Sequence, residues 1–184
     1  MREIEMYIYE NELWAITDDG RNHRVSENEK ETIQPILATI REQYPEAYAA
    51  LEECYSKSAS NVPYYQYLIV RRFCKCNCGT LDPTEKDIDR HGRFHFENVS
   101  CPLRGECRYE GRICKPKFNS SLSEAELRVM KLIYEGLGTD EVADRLYLSP
   151  YTVKNHVKSV YQKLNIHEKA EFISYAHDHN LFKD

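Results

Sequence analysis

The sequence predicts an α+β N-terminal part, a cysteine-rich segment and a small all-α domain at the C-terminus. Three observations carry this. Two short stretches near the start alternate polar and apolar residues. Six cysteines crowd into 41 residues in the middle of the chain. The last sixty or so residues place apolar side chains at helical spacing between recognisable cap residues. The expected divisions are 1–73, 74–117 and 118–184.

Glu3 to Tyr9 alternates and is rich in Ile and Tyr, and Leu13 to Thr17 repeats the pattern after Glu10-Asn11. Together they predict a β-hairpin, followed by a turn at Asp18-Asp19-Gly20. Ser26 with Glu29 predicts a capping box opening a helix with Ile33, Ile36, Leu37 and Ile40 on one face. Pro35 must then lie in or near the first turn of that helix. A second helix is expected from Pro45, with Ala47, Tyr48, Leu51, Cys54 and Tyr55 along one side, which makes Cys54 a core residue rather than a ligand. Val62 to Cys74 reads as a third helix, although its Tyr, Ile and Val content also suits a strand. The cysteine segment beyond it is expected to be irregular.

The net charge of −5 is unevenly spread. Residues 1–70 hold 6 basic and 13 acidic side chains, residues 71–117 hold 11 and 7, and residues 118–184 hold 8 and 10. DNA binding requires a basic surface where phosphates approach, not a basic protein. No stretch approaches the apolar length of a membrane span, and Met1-Arg2-Glu3-Ile4-Glu5 lacks the apolar run of a secretion signal. A cytosolic location is therefore expected, where clustered cysteines favour a metal over disulfides.

In the C-terminal part Ser123-Glu124-Ala125-Glu126 is a capping box. Val129, Met130, Ile133 and Leu137 line the helix that follows, which should stop at Gly136 and Gly138. Thr139 is expected to cap a second helix carrying Val142, Ala143 and Leu146, with a turn at Tyr147-Leu148. Ser149-Pro150 opens a third helix, with proline at the first helical position where its missing N–H costs nothing. On that helix Val153, Val157, Val160 and Leu164 point inward, while Tyr151, Lys154, Asn155, Lys158 and Gln162 lie opposite. Pro150 to Leu164 holds three lysines and no acid. A solvated lysine face on a plain bundle would explain the charges, but not three capped helices at this spacing. A cationic helix face in an acidic protein suits the major groove.

Leu122-Ser123, Glu126, Gly136, Glu141-Val142-Ala143, Leu146, Leu148-Ser149, Thr152-Val153-Lys154, His156 and Lys163-Leu164 resemble the LuxR-type (FixJ/NarL-type) helix-turn-helix over about a third of the chain. The resemblance implies four helices, the second and third forming the motif and the fourth (about 168–177) aiding dimerisation. It implies double-stranded DNA as partner, with Lys154, Asn155 and Lys158 facing bases and Thr139, Thr152 and Lys163 on phosphates. His156 borders the inward face, where packing is the expected role. Many members carry Ser-Asn-Lys where this chain has Gly138-Thr139-Asp140. Sigma factors share part of the pattern, but the fourth helix and the length ahead of the motif favour the LuxR type.

Four thiolates around zinc form a closed tetrahedral structural site. Cys101 and Cys107, in the loop Cys-Pro-Leu-Arg-Gly-Glu-Cys, and Cys114 supply three, and the run Cys-Lys-Cys-Asn-Cys-Gly at 74–79 must supply the fourth. In an extended segment Cys74 and Cys78 share one side and Cys76 takes the other. Similarity to regulators with a like loop ahead of this helix-turn-helix selects Cys76, with Cys74 and Cys78 as alternates. The bland alternative is a set of unligated, reduced thiols. An iron–sulfur cluster would suit the same four cysteines and make the protein a redox or iron sensor.

Other functions fit less well. A phosphoacceptor receiver would use Asp18-Asp19, but no Asp occurs between Asp19 and Asp82 where the acceptor belongs. Asp87 to Asn98 resembles a calcium loop only faintly, since Asn98 replaces the bidentate Glu and His91 stands at an oxygen-ligand position, so a polar turn is expected. A zinc enzyme would need an open coordination position, for which only His91 and His95 are near in sequence, and no phosphate loop or nucleophile motif is present. The acidic, Tyr-rich first 70 residues suit contact with RNA polymerase or another regulator.

Overall fold

The computed structural model describes residues 3–81, 86–90, 92–179 and 181–182. The chain divides into two compact units, Met1–Lys117 and Phe118–Asp184.

In the first unit a three-stranded antiparallel meander runs β1 (Ile4–Tyr9), β2 (Glu12–Thr17) and β3 (Asn22–Arg24). Tyr9 pairs with Glu12, so Glu10 and Asn11 form a two-residue turn, and both have positive φ (50° and 62°). That is the turn whose twist matches a hairpin. Met6, Leu13 and Ala15 face inward, while Trp14 lies against Tyr7 and Tyr9 on the other side. The short third strand had no alternating pattern to announce it.

Three helices follow, α1 (Lys30–Gln43), α2 (Pro45–Tyr55) and α3 (Val62–Asn77); α3 packs on the sheet, and α1 and α2 pack on α3 and on each other. A 3-10 turn at Ser56–Ser58 joins the last two. The predicted Ser26 cap is corrected. Glu29 itself is the N-cap of α1 and makes no side-chain cap bond, because its carboxylate accepts from the Ser26 N–H (2.8 Å) and from His23 (2.9 Å). Pro35 is the sixth residue of α1, deeper than the first turn. The carbonyl of Pro35 is also bonded by the Thr39 hydroxyl at 3.0 Å. Cys54 is half-buried rather than fully buried and lies beside Tyr109.

The helix α3 contacts α1, α2, β1 and β2, and supplies Leu68, Ile69, Val70 and Phe73 to the core. The expected helix over Val62 to Cys74 is present and runs on to Asn77, so Cys76 is helical, not irregular or extended. Beyond it Ile88 bridges Ile4 on one side and Phe94 on the other. Phe94 and Phe96 join Tyr44 and Phe73 in an aromatic cluster with centroid separations of 5.1 to 6.0 Å. Asp82–Glu85 and His91 lie outside the described residues, and so do the readings of His91 as part of a polar turn or as a metal ligand. Asp89 holds the expected polar turn, accepting from the Arg93 N–H at 3.0 Å.

The second unit has four helices: α4 (Glu124–Tyr134), α5 (Thr139–Leu146), α6 (Pro150–Leu164) and α7 (Lys169–Asp178). They enclose Val129, Met130, Ile133, Val142, Ala143, Val153, Val160, Phe172 and Ala176. Removal of this apolar surface from water supplies the main stabilisation. Among the described residues, no helix of either unit is long and apolar enough to cross a membrane.

Candidate nucleic-acid interface and cysteine cavity

The angle between α5 and α6 is set by backbone chemistry at the turn. Tyr147 ends α5 in the left-handed region (φ 55°), and the Leu148 N–H returns to the Ala143 carbonyl at 2.9 Å. Ser149 then caps α6, its hydroxyl accepting the Thr152 N–H at 3.0 Å, with Pro150 in the first turn. Thr139 is not the cap of α5, contrary to expectation. It is the first helical residue, and Gly138 takes the cap position, its N–H donating to Glu141 at 2.7 Å.

The two faces of α6 separate as the spacing predicts. Val153 and Val160 are buried, and Val157, Leu164 and His156 are half-buried. Tyr151, Lys154, Asn155, Lys158 and Gln162 are exposed. Thr139, Lys154, Lys158, Tyr161 and His167 border an open groove of about 610 Å³ along this side. The α6 first turn carries no acid, whereas those of α4, α5 and α7 do. An anion approaching the N-terminal end of α6 thus meets the positive end of a helix dipole with no carboxylate on that turn.

Two of the residues expected on phosphates have internal partners. The Thr152 hydroxyl is 2.9 Å from that of Ser149. The Lys163 ammonium donates to Glu126 at 2.7 Å. Glu126 is 4% exposed and also accepts from the Ser123 N–H (2.8 Å) and from the Ser159 hydroxyl (2.7 Å). The Lys163 ion pair, set against the cost of burial and helped by the Ser123 and Ser159 bonds, holds this carboxyl down at about 2. Glu126 therefore both caps α4 and ties it to α6. Its capping role was legible from Ser123-x-x-Glu126, but its second partner is 37 residues away and left no local signal.

The six clustered cysteines divide between two surroundings. Cys74 and Cys78, one helical turn apart, face the core, with Cys74 Sγ 3.7 Å from Met6 Sδ and Cys78 beside Asp87. Cys76 faces the other way and, with Cys101, Cys107 and Cys114, borders a cavity of about 160 Å³. Burial pushes the Cys76 thiol up to about 11, with Arg72 opposing and the three other cysteines adding to the rise. Arg72 and Arg104 lie 3.9 Å from the sulfurs of Cys107 and Cys114. The loop is held in place by Asn77, 1% exposed, which donates to the Phe73 and Ile113 carbonyls and accepts the Lys115 N–H, each at 2.9 Å. Gly105 and Gly111, at φ 86° and 73°, make its sharp turns. Among the described residues, no three His, Cys, Asp or Glu side chains are grouped as ligands of a metal ion. The four sulfurs border the cavity without meeting at one point.

Comparison with known proteins bears on the second unit. Residues 120–176 match the family described as bacterial regulatory proteins, luxR family. The HTH-type transcriptional regulator MalT of Yersinia pestis (strain Pestoides F) is 29% identical over 91 residues, half of this chain and 10% of the relative. MalT of Serratia proteamaculans (strain 568) is 28% identical over the same share of each chain. The chain thus spans about a tenth of the length of these curated relatives. No solved structure matches it. With its four helices and the turn geometry between α5 and α6, the segment 120–176 is a helix-turn-helix domain of the luxR family of bacterial regulatory proteins.

Proposed function

We propose that this chain is a bacterial transcription regulator that binds double-stranded DNA by laying α6 in the major groove. The observation that carries the reading is the exposed, acid-free face of α6, bearing Lys154, Asn155 and Lys158, in a luxR-family domain. Lysine can donate to guanine edges and asparagine can pair with adenine. Thr139, Thr152 and Lys163 belong to the phosphate contacts, Lys163 by sharing its ammonium between Glu126 and the backbone. The protein acts as a dimer in the cytosol, without membrane or catalytic function, and its acidic first unit meets RNA polymerase or another regulator.

The test is a titration of the full chain against duplexes enriched from a random pool, at fixed salt. Lys154→Ala and Lys158→Ala should each weaken specific binding by about 1–3 kcal/mol. Unchanged affinity in both variants would refute the role of α6.

The finer part of the reading is a Cys₄ metal site at Cys76, Cys101, Cys107 and Cys114, holding zinc. Its support is the common cavity of these four thiols, with Cys74 and Cys78 engaged in the core. Thiolates are the ligands zinc prefers, and zinc would supply a rigid staple for a loop with little core of its own. Two nearby guanidiniums, from Arg72 and Arg104, would offset the excess negative charge of four thiolates. Metal analysis of protein purified without oxygen decides the matter. Zinc without visible colour supports the staple, iron with a brown chromophore replaces it by an iron–sulfur cluster, and no metal removes the site.

A further inference from the structure

We propose that Tyr151 is a specificity-determining residue that reads the 5-methyl group of a thymine at one edge of the bound site. This rests on the DNA-binding reading of α6 above.

Tyr151 is the second residue of α6 and is 74% exposed. Its side chain makes no hydrogen bond, ion pair or ring contact among the described residues. The helix itself does not ask for an aromatic there. The first turn favours acids, which complement the dipole, and aromatic residues are only middling helix formers. The other three helices of this unit follow that preference, and α6 does not. An exposed tyrosine in this position is a large apolar surface left without a partner inside the domain.

Its place identifies the partner. Lys154, Asn155 and Lys158 follow at three, four and seven residues, so all four lie on one exposed face. The residues in the first turns of a recognition helix are those that approach base edges. The lysines on the same face draw a polyanion to it, and an aromatic ring meets the thymine methyl, the apolar feature of the major groove. At a rise of about 1.5 Å per residue, Tyr151 stands about 10 Å from Lys158 along the helix. The thymine therefore lies to one side of the position Lys158 contacts, toward the N-terminal end of the helix. Tyr147 is more exposed still, at 96%, but it belongs to the turn ahead of the helix.

The test replaces each thymine of an enriched duplex by uracil, which deletes the methyl and keeps the base pairing. The full chain should lose about fourfold in affinity at one thymine of each half-site, the value of burying one methyl group. Tyr151→Ala should bind the thymine duplex about as weakly as the parent binds uracil, and should be indifferent to that substitution. Tyr151→Phe should keep the sensitivity, since the ring makes the contact. The proposal is overturned if no thymine is sensitive, if Tyr151→Ala loses as much as the parent, or if Tyr151→Phe loses the effect. Failure to enrich any duplex would instead overturn the DNA-binding reading, and this proposal with it.

Discussion

Replacing Glu126 by Gln isolates the electrostatic part of the tie between α4 and α6. Gln can still accept the Ser123 N–H, so the cap survives, but Lys163 loses its counter-charge. The carboxyl stands at about 2 against an ordinary 4.5. At about 1.4 kcal/mol for each tenfold change in acidity, that difference corresponds to roughly 3 kcal/mol before screening. The Lys163 side chain is 42% exposed, so water and salt screen the pair, and about 1–2 kcal/mol is the expected net loss. The folded-state value is depressed, so the contribution is complete above pH 4.5 and is lost as pH falls toward 2. Urea unfolding followed by far-UV circular dichroism at pH 7, 5, 4 and 3 measures it. The helical transition of the second unit should move to lower urea at pH 7, and the gap from the parent should narrow at pH 3. Trp14 lies in β2 of the first unit, so its fluorescence transition should stay in place. Equal stability at pH 7, or a gap undiminished at pH 3, would refute the assignment.

Other outcomes are expected from the first unit and from the turn. Cys76→Ser should abolish stoichiometric zinc while Cys74→Ser retains it and lowers stability, because the Cys74 thiol packs on Met6; equal zinc loss by elemental analysis would contradict that division. Burial raises the Asp87 carboxyl from 3.8 to about 7, against the opposing Met6 N–H and with Glu5 adding to the rise. The first unit should therefore lose stability as pH climbs from about 4 to 7, and Asp87→Asn should flatten that decline in Trp14-monitored urea midpoints. Tyr147 sits at φ 55°, where an L side chain is strained, so Tyr147→Gly should stabilise the second unit by about 1 kcal/mol in thermal unfolding. A lower melting temperature would refute the strain, since the ring is 96% exposed and has little packing to lose.

The sequence by itself determined the elements whose causes are local. Alternation and the Glu10-Asn11 pair specify the hairpin, because the side-chain period of a strand is two and the turn needs positive φ. Ser123 with Glu126, and Ser149 with Pro150, specify where α4 and α6 begin, because a cap acts within three residues of its helix. The two faces of α6 follow from spacing alone. Where partners competed for one group or lay far off in the chain, local rules misassigned them. Glu29 is claimed by Ser26 and His23 and becomes a cap without a cap bond. The helix was expected to end at Cys74 with Cys76 in irregular chain, although packing of α3 on both the sheet and two helices carries it on to Asn77. Only the tertiary structure decided which cysteines share a cavity, because that depends on Asn77 pinning a loop 36 residues away. It likewise decided that Lys163 answers to Glu126, since charge pairing across 37 residues is a property of the packed core and not of either helix.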